Sequence, residues 1–255
     1  MELNNPAARL LSILEEGLKQ PDSIKNRVVW YQLLNVEKGD DATLMGRIGK
    51  VMGLTTEIIS KLEQVENVKV DRYMHWVKPL ENAFIKNNLN GNWGEFKVHI
   101  NVHVISYLTM TSDLLSHRFP EKILQDVQLE DMQQKVRELI EEIHQSGLPF
   151  EIQKFMLKHL YKVELALKEH LILGSEAVSD AIQSAFGYVI LHSKEVEDSK
   201  ENPIAQKFWQ TMAQFALVLS VINGFNQLPK PMEKLIPDFS FNGGDINEKM
   251  DDTTE

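Results

Sequence analysis

Apolar residues recur at three- and four-residue intervals along most of the chain, so the sequence predicts helices nearly throughout. Asn5 before Pro6 reads as an N-cap with proline in the first turn, and Leu10, Leu11, Leu14 and Leu18 follow on one face. Gln20-Pro21 ends that helix. Asp22 or Ser23 is placed to cap a second one through Val28, Val29, Trp30, Leu33 and Leu34. Gly39-Asp40-Asp41 is a break and a new cap. A third helix is predicted over about 42–65, carrying Leu44, Met45, Ile48, Met52, Ile58, Ile59 and Leu62. Val70 to Asn88 has a helical pattern that Pro79 should kink or divide. The stretch NLNGN, Asn88 to Asn92, is a turn.

The segment KVHINVHVISYL, Lys97 to Leu108, alternates like a strand. A wider window favours a helix over about 92–117. Trp93, Phe96, Ile100, Val104, Tyr107 and Leu114 share one stripe, and Val98, Val102 and Ile105 form a second. Two apolar stripes imply burial between neighbours. A lone strand would leave its backbone groups unpaired.

Past Phe119-Pro120 the helical period returns. Met132, Val136, Leu139, Ile140 and Ile143 form a clear stripe, and Gly147-Leu148-Pro149 stops and restarts the chain. The next helix is predicted from Phe150 to Leu173 through Leu157, Leu160, Val163, Leu167 and Leu171. Gly174 stops it, and Ser175-Glu176 restarts it towards Val196. The last helix is predicted over about 203–228. The pattern therefore predicts an all-α fold: an antiparallel multi-helix bundle with long helices over residues 1–228. The turn at 88–92 is where that domain would subdivide. Residues 229–255 read as a disordered acidic tail.

Charge and composition narrow the function classes. The chain has 255 residues and a net charge of −10, and it has no cysteine. Disulfides, thiol nucleophiles and Cys-ligated zinc are therefore excluded. Six acidic residues and one lysine lie between Asp238 and Glu255, so half of the net charge belongs to the tail. No basic run exists to neutralise phosphates, and nucleic acid is not an expected partner. The N-terminal stretch has no basic region before its apolar residues, which fits a cytoplasmic protein better than a secretory signal.

Four stretches carry candidate chemistry. GRIGKVMG, Gly46 to Gly53, fails as a phosphate loop because only two residues separate Gly46 from Gly49 and Val51 follows Lys50. Its glycines share a helical face and suggest close helix–helix approach. His99 and His103, one turn apart on the predicted helix, are candidate metal ligands. Glu95 would extend their column. It lies about 12 Å from His103 along a helix axis, so it would pair with His99 rather than ligate the same ion. Glu141-Glu142-Ile143-His144 supplies one Glu-x-x-His, whereas a di-iron bundle needs two. Finally, Phe208 to Pro229 holds no charged residue. Seven polar residues inside that run, from Gln210 to Gln227, favour a helix buried in the protein over a membrane span.

Four short segments resemble a family of all-helical bacterial proteins of uncharacterised activity. They are NPAARLLSILEEG (Asn5–Gly17), NWGEFK (Asn92–Lys97), TSDLLSHRFPE (Thr111–Glu121) and the ENP…FW stretch (Glu201–Trp209). The resemblance implies a helical fold and carries no activity. It also suggests an accessory role in mobile or phage-defence loci.

The leading expectation is thus a non-catalytic helical interaction protein that binds or regulates a protein partner, with no cofactor. Phe239 and Phe241, two aromatics in the acidic tail, are candidate partner contacts. Homo-oligomerisation through a helical face is a further expectation. The alternatives are a membrane-acting defence effector using Phe208, Trp209 and Phe215, and a metal-dependent enzyme using His99 and His103.

Overall fold

The computed structural model describes residues 5–119, 124–191 and 201–222, and it is all-α. Helix α1 spans Pro6–Leu18; the Asn5 side chain accepts from Ala8 N, and Pro6 occupies the first turn. Helix α2 is Asn26–Leu33 and α3 is Asp41–Glu63, capped by Asp40 through Thr43 N. A short 3₁₀ turn at Val70–Tyr73 precedes α4, Val77–Ile85. Pro79 therefore lies in the first turn of α4, where its missing N–H breaks no intrahelical bond. The division expected at Pro79 falls a few residues earlier.

The helix expected over 92–117 is two helices. Helix α5 is Trp93–Lys97 and α6 is Val102–Arg118. The reason for the break is Asn101. Its side chain accepts from the backbone N–H groups of His103 and Val104, so it caps α6 instead of continuing α5. The first apolar stripe survives the break, with Trp93, Phe96, Ile100 and Val104 all buried. The second does not: Val98 and Val102 are 72% and 71% exposed.

Helices α7 (Asp126–His144), α8 (Phe150–Lys168), α9 (His170–Leu191) and α10 (Pro203–Ile222) complete the described chain. α8 ends at Lys168, earlier than expected. The break turns Leu171 outward at 48% exposure and buries Ile172 in its place. Gly174 interrupts α9 at φ 72°, ψ −172°, a conformation that an L side chain resists.

Cα proximity divides the chain into two compact units. The first is Met1–Gln134 with Tyr161–Ala181; the second is Lys135–Leu160 with Ile182–Glu255. In the first unit the largest buried side chains are Trp30, Trp76, Trp93 and Phe96. Trp30 stacks with Phe84 and meets Trp93 and Phe96 edge-on at 5.3 and 5.2 Å. Such pairs each add about 0.5–1.5 kcal/mol beyond their buried area. The turn at 88–92 is tied into this core. Asn26 N donates to Gly91 O, Arg27 N to Leu89 O and Trp93 N to Ile24 O. The buried Asn26 side chain also donates to Asn88 O at 2.7 Å.

In the second unit, the stripe residues Val136, Leu139 and Ile143 are buried. Phe208 and Trp209 of α10 pack on Phe155, and Trp209 also meets Phe186. Lys207 pairs with Glu142 at the exposed edge. Among all described residues, no helix is long and apolar enough to cross a membrane.

Candidate functional site

Because the chain breaks at 98–101, His99 and His103 do not lie one turn apart on a helix. His99 occupies the turn after α5 and is half-buried. His103 is the second residue of α6 and exposed. Glu95 does not pair with His99 either; its Oε1 accepts from Asn92 N at 3.3 Å, closing the first turn of α5. Among the described residues, no group of three or more His, Asp or Glu side chains is placed to hold a metal ion.

Phe208, Trp209 and Phe215, the candidate membrane contacts, are 0%, 5% and 1% exposed. They face other rings or the interior, so none is available to lipid in this arrangement. Phe239 and Phe241 lie outside the described residues.

Two other features emerge. The first is a buried ionic cluster in the first unit. Arg47, on the buried stripe of α3, donates from Nη1 to the carbonyls of Leu34 and Asn35 at 2.6 and 2.8 Å. Its Nε lies 3.7 Å from Glu169 Oε1 and makes no hydrogen bond. The other Glu169 oxygen accepts from Lys50 Nζ. Arg9 donates from Nε to the Ile172 carbonyl at 2.9 Å and from Nη2 to Glu57 at 2.8 Å. Arg9, Arg47 and Glu169 are all less than a tenth exposed. His170 sits beside them with Nε2 buried and lacking a hydrogen bond. Burial, and then the Arg9 charge, hold its pKa below the ordinary 6.5, with Asp126 opposing them. A cluster of this kind fixes register more than it adds stability, because desolvating each ion offsets most of the attraction.

The second feature is the outward face of α3. Its exposed positions between Ala42 and Ser60 are Ala42, Met45, Gly46, Gly49, Met52, Gly53, Thr56 and Ser60. None is charged. The charged side chains at its edge are only part-exposed and paired: Lys50 with Glu169, and Glu57 with Arg9. Met45 and Met52 are 56% and 43% exposed. The sequence suggests that the glycines let another helix approach closely. Instead, a Cβ built on Gly46, Gly49 or Gly53 would meet nothing within 4 Å. The close approach that they permit is not used within the described chain.

Sequence reasoning singles out the glycines but not the ionic cluster. One signal is present: Arg47 interrupts the stripe Leu44, Ile48, Val51, Leu54. A charge at a core position demands buried partners.

No family model, curated protein or solved structure matches the chain. The resemblance in the short anchors is therefore not extended by these comparisons.

Proposed function

We propose that this chain is a non-catalytic interaction protein that binds or regulates a protein partner through the outward face of α3. The carrying observation is that face between Ala42 and Ser60: its exposed positions are uncharged and include small residues between two methionines. A solvated helix face ordinarily carries Lys and Glu. In a chain in which 25% of residues are charged, their absence from every exposed position between Ala42 and Ser60 calls for a cause. Glycines let a partner helix approach closely, and exposed methionines adapt to its side chains. Helix-on-helix docking of this kind is a common recognition mode.

A second copy of the chain fits the same face. In an antiparallel pair centred on Gly49, Met45 would face Gly53 and Met52 would face Gly46. Each knob then meets a gap, as an isologous interface requires. The rest of the reading is a cytoplasmic protein whose helices pack antiparallel, with an acidic tail that keeps it soluble.

The test is affinity capture of the full-length protein from its host, alongside the variant Met45→Glu/Met52→Glu. Both methionines are exposed, so the variant should fold normally. Loss of a near-stoichiometric protein from the variant alone supports the reading. Light scattering on the purified proteins shows whether that protein is a second copy. A partner retained in full by the variant contradicts it.

A further inference from the structure

The ionic cluster has a property that a purely structural ion network does not need. Among the described residues, the elbow between α8 and Gly174 adds little apolar surface to the core of the N-terminal helices. Of the buried apolar residues that form the core of α1 to α6, one comes from this elbow, Ile172, with Leu173 partly buried beside it. Its polar links to them include Glu169 to Lys50 and Arg47, and the Ile172 carbonyl to Arg9.

On the N-terminal side, each cation keeps another partner if the elbow leaves. Arg47 retains the carbonyls of Leu34 and Asn35. Arg9 retains Glu57. Lys50 is 37% exposed and reaches water. On the elbow side, Glu169 has no substitute, but once released its carboxylate is hydrated, and the unbonded Nε2 of His170 gains water too. Breaking a buried ion pair is strongly unfavourable when it strands a charge in the interior. Of the three cations, only Arg47 is left buried without a counter-charge, on neutral carbonyls alone, and this biases the latch towards its closed state. Gly174, at φ 72°, supplies a joint where the backbone can turn without side-chain resistance.

We propose that the elbow Lys168–Gly174 is a latch that detaches from α1 and α3 as a local unit, with Glu169 as its catch. The latch gives the fold two states, closed with Glu169 buried and open with it in water. This inference does not depend on the partner reading, because its contacts lie on the buried side of α3.

Amide hydrogen exchange on the full-length protein, resolved by peptide, tests it. The wild-type elbow, residues 168–174, should exchange at least about tenfold faster than the centre of α1, because it opens without the core. Glu169→Gln should accelerate the elbow by about another tenfold and leave α1 and α2 unchanged. Lys50→Ala, at a partly exposed site that does not endanger folding, should act in the same direction but less. The proposal is overturned if the elbow and α1 exchange together in all three proteins, which means that the elbow opens only with global unfolding. It is equally overturned if neither substitution changes exchange in the elbow.

Discussion

The indole Nε1 of Trp93 donates to the Gly17 carbonyl at 2.7 Å, and the same ring fills the space that a side chain on Gly17 would need. A Cβ on Gly17 would lie 2.9 Å from Trp93 Cζ2 and 3.3 Å from Leu33 Cδ1. Neither neighbour can retreat easily, because Trp93 is only 1% exposed and stacks on Phe96. Replacing Gly17 with Ala gains about 1 kcal/mol of helix propensity. Overpacking costs about 1–3 kcal/mol, so the net effect should be destabilising, and more so for Gly17→Val. Urea unfolding midpoints check both.

The opposite sign is expected on α3. Gly49 is exposed and helical, with open space around it. Gly49→Ala should raise stability by about 0.5–1 kcal/mol. If the glycine serves a partner, the same substitution should weaken capture of that partner. A variant that is stabler and binds less well is the signature of a residue kept for its surface.

Asn101 is the residue that divides α5 from α6. Asn101→Ala removes both of its capping bonds and should cost about 1 kcal/mol. Asn101→Asp should cost little, since aspartate caps as well. Thermal denaturation of the two variants distinguishes a cap from a passive loop residue.

His170 gives the fold an acid sensitivity. Its folded pKa lies below the ordinary 6.5, mainly because burial disfavours the charged ring. The unfolded chain then binds the proton first as the pH falls. Stability should be fully present above about pH 6.5 and should decline below it, towards the folded pKa. His170→Asn should remove that part of the slope below about pH 6.5. Melting temperatures across that window, wild type against variant, provide the check.

The helical fold was legible because the apolar period is long and unambiguous, as in Met132, Val136, Leu139 and Ile143. The break at 98–101 was not. Ile100 and Val104 stay on the buried face whether the helix is continuous or divided, so periodicity could not register the cap at Asn101. The glycines of α3 were visible, but their use was not. Identical spacing serves an internal helix contact or an empty face, and only the surrounding atoms distinguish them. The ionic cluster joins Arg47 to Glu169 and Arg9 to the Ile172 carbonyl, far apart in sequence, and no local pattern connects them.

The outward face of α3 can be tested most directly with a single thiol. The chain has no cysteine, so Gly49→Cys places a unique reporter at the centre of that face, where its side chain meets nothing. In the isolated, monomeric variant a thiol reagent should modify the introduced sulfur as fast as it modifies a cysteine in a short peptide. In the captured complex, or in a self-associated form, modification should slow by at least about tenfold, as burial of a thiol demands. Equal rates in the two forms would contradict docking on α3.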